Sequence, residues 1–494
     1  MVFSIRLAAV VGSLLAATTP VLGDICEDFE NQGRNVERPL SLSFEEEQTN
    51  YWSTACAALR SRCMLAPNST EEMAEIVAAL QDTTDQFAVK SGGHMPNPGF
   101  ASISEGILIS TKNLDQVTYD SETETVVVGP GLMWEEILEA IEPTGRVVVG
   151  GRMGAVGVGG YLLGGGLSFL SAEYGWGVNN IINFEVVLAN ATIVNANAEE
   201  NPELFAVMKG GGSNFGIVTA FTLKTHPIEH DVWGGNYVFG PEKSEQLLEA
   251  VRDFTEYNTD DKAAIILTLE RGAILNTWIM FLFYDGIEPP AGVFDNFTHI
   301  GPTIDITKRR SYLDLCKFND IYILVGQRYV IGTETIPLPN KDNGAKVLGS
   351  IFDHWNDIVD SVITVPNVIA SIAFQPMPRA ITGKANKLGG DVMDFEPDHD
   401  YIVLELDFSY AFPASDNLID QGLQNLYNGI HNLINDHAEN GLVPDIYRPL
   451  FMNDAYHRQD YWARNRNADK ARAVQKAVDP EGFFQVRTSG GFRL

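Results

Sequence analysis

Nine of the seventeen residues from Gly150 to Gly166 are glycine (GGRMGAVGVGGYLLGGG). Such a tract is a poor helix or strand interior, because each glycine forfeits conformational entropy and brings no side chain to pack. It does let main chain run close to a ligand and point N–H groups at anionic oxygens. Two further patches share this character. Lys90-Ser91-Gly92-Gly93-His94 follows a β-rich run, and Gly210-Gly211-Gly212-Ser213-Asn214-Phe215-Gly216 leads into the run that starts at Ile217. One patch alone is more simply a tight turn or a packing contact. Three in one unit point to a large phosphate-bearing cofactor held mainly by backbone. No GxGxxG opens a helix after a strand and no GxxxxGK[ST] occurs, so Rossmann and Walker sites are not expected.

The surroundings of the patches read as an α+β unit over residues 55 to 228. Asn68 to Leu80 carries a helix signature: Ser69 with Glu72 as a capping box, and Met73, Ile76, Val77 and Leu80 on one face. Short β-rich runs follow at Phe87 to Val89, Ile107 to Ser110 and Thr125 to Val128, then a helix at Trp134 to Ile141. Further runs cover Phe184 to Ala189, Thr192 to Asn195 and Ile217 to Lys224. From about 230 the texture changes. A helix with Leu247, Leu248, Val251 and Phe254 precedes strands at Ala264 to Glu270 and Thr277 to Tyr284. Tyr401 to Tyr410 alternates, with Ile402, Leu404, Leu406 and Phe408 on one face and Val403, Glu405, Asp407 and Ser409 on the other. An antiparallel sheet with helices on one face is predicted there. At 494 residues and 45% hydrophobic, the chain has material for more than one core.

Charge and terminus narrow the partners. Against 34 Lys and Arg stand 65 Asp and Glu, a net charge of −31, which repels phosphate backbones and anionic lipid. Nucleic-acid and membrane partners are not expected. Met1 to Gly23 reads as a signal peptide: Arg6, an apolar run from Leu7 to Ala17, and a small-residue end at Gly23. A secreted glycoprotein is the expectation, with sequons at Asn68, Asn190 and Asn296. Cys26, Cys56, Cys63 and Cys316 allow three two-bridge pairings, and an oxidising compartment favours at least one disulfide.

Taken together, KSGGH at 90–94, Gly157-Val158-Gly159-Gly160 with Gly164-Gly165-Gly166, and Gly210 to Thr219 resemble the FAD-binding domain of the vanillyl-alcohol-oxidase superfamily. Phe451-Met452-Asn453-Asp454-Ala455, Asp479-Pro480 and the closing Gly490-Gly491-Phe492-Arg493-Leu494 are similar to its berberine-bridge-enzyme-like branch, common in fungal secondary metabolism. The resemblance implies a two-domain α+β flavoprotein: an FAD-binding part at 24–228, a substrate domain at 229–440, and a segment at 441–494 completing the first. Cys26 with Cys63 is the favoured bridge.

The resemblance also assigns roles. His94 matches the histidine bonded covalently to the flavin. Met153 stands where doubly attached relatives have cysteine, so a single attachment is expected. Cofactor contacts are implied at Lys90, Ser91, Gly92, Gly93, Val156, Gly157, Gly159, Gly160, Gly164, Gly165, Asn180, Gly212, Gly216, Ile217 and Asn453. Tyr161 replaces a frequent histidine; its phenol could donate to the reduced flavin or simply pack. Arg464-Asn465-Arg466 replaces an expected Ser-Tyr-Gly and puts carry-over beyond Asp460 in doubt.

The implied reaction removes hydride from a small metabolite to flavin N5 while a base takes a proton, with molecular oxygen as the expected acceptor. The resemblance puts the base on a substrate-domain strand facing the flavin, where Glu405 stands, with Asp407, a tyrosine or no dedicated base as alternatives; burial there would raise a carboxyl's pKa toward useful values. A plain solvated sheet face is the competing account. Carbohydrate or alcohol oxidation is a second possibility, and a non-catalytic glycoprotein on a flavoprotein scaffold a third. His226-Pro227-Ile228-Glu229-His230 matches a metallopeptidase pattern, but Pro227 opposes the helix that pattern needs. No GxSxG elbow is present.

Overall fold

The computed structural model describes residues 24–228 and 231–494. The signal-peptide expectation, and Glu229 and His230 of the metallopeptidase-like pattern, lie outside the described residues.

The helix expected at the first sequon forms at Thr70–Gln81 and buries Met73, Ile76, Val77 and Leu80, the face its periodicity marks. Ser69 Oγ accepts from the Glu72 N–H at 3.3 Å. The reciprocal arm of the capping box shifts by one residue: the Glu72 carboxylate accepts from the Asn68 N–H at 2.8 Å. This helix packs over Cys63–Leu65 and Ile107–Ser110, whose side chains are all buried. Those two strands pair in parallel, as do Ile107–Ser110 and Phe87–Lys90, in a four-stranded sheet edged by Val36–Glu37. Cys26 and Cys63 form a disulfide, while Cys56 and Cys316 are buried thiols.

A second, five-stranded antiparallel sheet runs in the order Val117–Asp120, Thr125–Val128, Ile217–Lys224, Ile181–Val187, Ile193–Asn197. The glycine tract follows Arg146–Val147, which pairs with His226–Pro227 in a separate two-stranded sheet.

The third sheet is antiparallel and eight-stranded. Along its length lie Val232–Phe239, Asn276–Tyr284, Ala263–Gly272, Ile369–Met377, Tyr401–Tyr410 and Arg328–Pro337. Three of these strands carry no clean alternation. Gly234 and Gly235 interrupt the first, Pro376 the fourth and Gly332 the last, and both faces of the fourth and last are buried. The outer face, with Ile402, Leu404, Leu406 and Phe408, packs under the helices Ser244–Tyr257, Gly344–Val362 and Asp416–Glu439. That is the helix-covered antiparallel sheet the alternation implied. The inner face, with Ile266, Phe281, Ala373 and Val403, joins the core of the glycine-bearing unit.

The C-terminal segment returns to the first unit. Tyr461 Oη donates to the Gly210 carbonyl at 2.9 Å, Trp462 Nε1 to the Phe492 carbonyl, and Arg493 to the Ser213 carbonyl.

Candidate active site

The three glycine patches converge because two of them cross. A β-carbon on Gly92 would sit 2.5 Å from Gly157 Cα, and one on Gly157 would sit 2.5 Å from Gly92 Cα, so neither position accepts a side chain. Ser91 ties the crossing together: its Oγ donates to the Pro130 carbonyl and accepts the Gly159 N–H at 3.2 Å. Asn453 clasps the far end of the tract. Its Oδ1 accepts the Gly166 N–H at 3.0 Å and its Nδ2 donates to the carbonyls of Gly160 and Tyr161 at 3.3 Å.

These patches form one wall of a cavity of about 410 Å³; the inner face of the eight-stranded sheet forms the other. That volume is within the ordinary range of ligand sites. The structure brings Ser91, Gly92, Gly93, His94, Val156, Gly157, Gly159, Gly160, Gly164, Gly212, Gly216, Ile217 and Asn453 into one wall, with Tyr161 and Met153. A β-carbon on Gly160 would meet nothing within 4 Å, so the tract leaves open space at that point. At Gly160 a side chain would fill that space, which the approach of a cofactor to backbone requires open, while Gly92, Gly157, Gly159, Gly164 and Gly216 are glycine because the protein itself packs against them.

Three expected contacts fall outside the wall. Lys90 is buried in an ion pair with Glu47 at 2.5 Å, and Ser110 donates to the same carboxylate. Gly165, with φ +123°, backs onto Met393 and Phe451. Asn180 is spent inside the protein: its Nδ2 donates to the carbonyls of Tyr174 and Trp176, and its Oδ1 meets His226 Nε2 at 2.8 Å. His226 therefore serves as a packed core group stacked on Tyr174, in a strand with Pro227 rather than a helix. Tyr161 commits its hydroxyl proton to the Gly150 carbonyl at 2.9 Å and packs edge-on against Trp134, which favours the packing role.

His94 stacks face to face on Trp52, centroids 4.6 Å apart, and Trp52 stacks in turn on Tyr329 at 4.1 Å. Burial pushes its pKa down to about 4. At neutral pH the imidazole is uncharged and keeps a nucleophilic nitrogen lone pair.

Strand register composes the opposite wall. One transverse row holds Ile279, Thr268, Ala373 and Glu405; the next holds Glu270, Ser371, Asp407 and Ile331. Beyond the first row lie Ile266 and Phe281, so one end is apolar and the other acidic. Glu405 and Asp407 both line the cavity, on the one strand face their alternation assigns them. Glu270 and Asp454 join them without having been singled out. Glu270 follows from extending the Ile266, Thr268 alternation two residues further, and Asp454 sits inside the FMNDA motif. Burial raises all four carboxyls. Glu270 is pushed up to about 7 by burial, against the Ser371 hydrogen bond. Asp407 is raised well above the carboxylate range by burial and by the charges of Glu270 and Glu405. Asp454 is also raised well above it, by burial and by Glu405. Glu405 is raised by burial, while Arg152 opposes the shift. Arg152, from the glycine tract, donates to Gln375 Oε1 at 2.6 Å, and Gln375 donates to Asp454 at 2.8 Å.

The replaced segment near the C-terminus acts in structure. Arg464 pairs with the buried Glu334 of the Arg328–Pro337 strand at 2.7 Å, and Arg466 with Asp394 at 2.7 Å.

Known proteins place this geometry in context. The FAD binding domain family matches residues 61–197. An FAD-linked oxidoreductase of Arthroderma benhamiae is 50% identical over 473 residues, which cover 95% of this chain and 94% of that protein. An FAD-dependent monooxygenase of Penicillium roqueforti is 31% identical over 475 residues, 92% of this chain and 90% of that one. The structure of a berberine bridge enzyme variant superposes with a TM-score of 0.72 at 16% identity, covering 94% of this chain and 99% of that one.

Proposed function

The chain belongs to the FAD-linked oxidoreductases of the berberine-bridge-enzyme and vanillyl-alcohol-oxidase family, and we propose that it is a secreted enzyme that attaches FAD through His94 and oxidises a small metabolite. It is an FAD-dependent oxidoreductase; the single attachment, the substrate and the acceptor are the proposed parts.

One observation carries the reading: a single cavity has the glycine wall and an uncharged His94 on one side and a row of buried carboxyls on the other. FAD, when bound, supplies a hydride acceptor that dioxygen can reoxidise. The residues of this chain supply the rest. Gly92 and Gly157 let the two glycine patches cross, Gly160 leaves room for the cofactor at backbone, and Asn453 fixes the tract that holds it. His94, held flat against Trp52, is the attachment point, and Met153 offers no thiolate for a second link. Glu405, the buried carboxyl nearest in charge to Arg152, takes the substrate proton. The apolar end at Ile266, Ile279 and Phe281 favours a metabolite with hydrocarbon surface over a sugar. Secretion is supported by the Cys26–Cys63 bridge and by the exposure of Asn68, Asn190 and Asn296. The domain division at 24–228, 229–440 and 441–494 belongs to the same proposal, supported by the return of Tyr461 and Arg493 to the third glycine patch.

The test is acid denaturation of the purified protein. Yellow absorbance staying with the polypeptide, and leaving it in His94→Ala, is the expected result. Colour released from the unaltered protein would overturn attachment at His94. Peroxide release across alcohols, sugars and polycyclic phenols then selects the substrate.

A further inference from the structure

Arg493 is a cation without a carboxylate, and the closing glycines seat it. A β-carbon on Gly490 would sit 2.6 Å from the Gly99 carbonyl oxygen. One on Gly491, whose φ is +108°, would sit 2.9 Å from Arg493 Nη2, so the guanidinium folds back over bare main chain. The Phe492 carbonyl holds the segment in place by accepting Trp462 Nε1 and Asn214 Nδ2, each at 2.9 Å. Arg493 Nη1 donates to the Ser213 carbonyl at 2.7 Å and Nη2 to the Gly490 carbonyl. Each of these nitrogens keeps a second hydrogen, and the buried Nε has no partner. Among the described residues no carboxylate lies within ion-pair distance of the guanidinium. Asp479, whose charge acts on it from further away, spends its two oxygens on the N–H groups of Phe483 and Phe484. Burial lowers the Arg493 pKa to about 10, which leaves it charged at neutral pH.

A charge withdrawn from water is costly unless an opposite charge meets it. Arg493 opens on the cavity together with Gly212, Ser213, Gly216 and Gly491. Among the described residues the lining holds one other cation, Arg152. Arg152 is directed at the carboxyl row: it donates to Gln375 and acts on Glu405 and Asp454. Lys90, the cation of the first glycine patch, is taken by Glu47. That leaves Arg493 to meet an anion, in a protein whose net charge is −31. We propose that Arg493 binds the diphosphate of FAD and supplies the full positive charge that the glycine wall lacks. A guanidinium suits that ligand, because its planar set of donors matches phosphate oxygens. The proposal rests on the reading of this cavity as the FAD site and adds a residue that holds the cofactor by charge rather than by room at the backbone. It also gives the closing Gly490-Gly491-Phe492-Arg493 a task, which is to fold one cation against the third glycine patch.

Binding measured in a His94→Ala background, where loading is reversible, separates charge from fold. Flavin fluorescence gives the affinities of FAD and of riboflavin, which has no phosphate, and displacement of FAD gives that of ADP, which has no flavin. Arg493→Gln keeps a donor for the carbonyls and removes the charge. It should weaken FAD and ADP by about 30-fold and leave riboflavin within about twofold, with the melting temperature of the flavin-free protein little changed. Arg493→Lys should recover most of the loss. Raising salt from about 50 to about 500 mM should weaken FAD in the Arg493 parent and much less in Arg493→Gln. Equal losses for FAD and riboflavin would make Arg493 a support of the fold and overturn the proposal, as would FAD and ADP affinities that stay the same. Should Arg493→Gln not fold, the salt series on the parent decides, and an FAD affinity indifferent to salt overturns the proposal. A folded protein that binds neither flavin overturns the FAD site and this proposal together, whereas undiminished FAD affinity in Arg493→Gln overturns the proposal alone.

Discussion

Glu270 is a carboxyl that the folded protein prefers to keep protonated, and this has a measurable sign. Its folded pKa of about 7 stands above the ordinary value of 4.5, chiefly because burial disfavours the charge. Between those values the folded state binds the extra proton, so this contribution is complete below about pH 4.5 and is lost as pH rises through 7. Glu270→Gln removes the dependence. The loss in urea-denaturation stability from pH 5 to pH 8 should shrink by on the order of 2 kcal/mol relative to the unaltered protein. An unchanged pH slope would show that Glu270 titrates normally. At this scale the alternation of Tyr401 to Tyr410 was enough to put Glu405 and Asp407 on one face. Nothing in it could announce Asp454, which enters the same cavity from a segment about fifty residues away in sequence.

The elements obey local rules where a single periodicity governs them. The Thr70–Gln81 helix buries the four residues its spacing selects, and Ser69→Ala should cost about 1 kcal/mol by removing the acceptor of the Glu72 N–H, as read by thermal unfolding. The glycine tract makes a sharper element-scale prediction, because its members differ in what surrounds them. Gly92→Ala drives a methyl into the Gly157 main chain and should lower both stability and flavin content. Gly160→Leu meets open space within the helix Val158–Leu163, so the fold should keep its melting temperature to within a few degrees while retained FAD falls several-fold. Parallel measurements of melting and flavin absorbance separate the two outcomes. The strands at Val232–Phe239, Arg328–Pro337 and Ile369–Met377 were not legible locally. A strand buried on both faces loses alternation, and glycine or proline inside it mimics a turn.

Across the whole molecule, a buried ion pair ties the C-terminal segment to the eight-stranded sheet. Burial opposes ionisation of Glu334, yet His431 and Arg464 hold it down to about 2. Arg464 comes from the C-terminal segment and also donates to the Arg448 carbonyl at 2.9 Å. Arg464→Ala strands a buried carboxylate and should cost about 3 kcal/mol. Glu334→Gln in the same background should recover part of that loss; a single variant as stable as the parent would deny the tie. Because the pKa of Glu334 is depressed, its contribution is full above about 4.5 and vanishes as pH falls toward 2. At Arg464 and Arg466 the departure from Ser-Tyr-Gly is thus accounted for by ion pairs to Glu334 and Asp394.

What the sequence determined by itself was the set of parts with one-dimensional signatures. These are the glycine patches, the capped helix, the alternating strand with its two carboxyls, and the ordered motifs that place the chain among FAD-linked oxidoreductases. Periodicity and backbone freedom are properties of neighbours along the chain, so neighbours suffice to reveal them. Only the tertiary structure decided that Lys90 and Asn180 serve the protein interior, that Tyr161 spends its proton on Gly150, and that Ser371 stands between Glu270 and Asp407. Those facts depend on strand register and on which lone pair meets which hydrogen, and they join residues up to 101 positions apart.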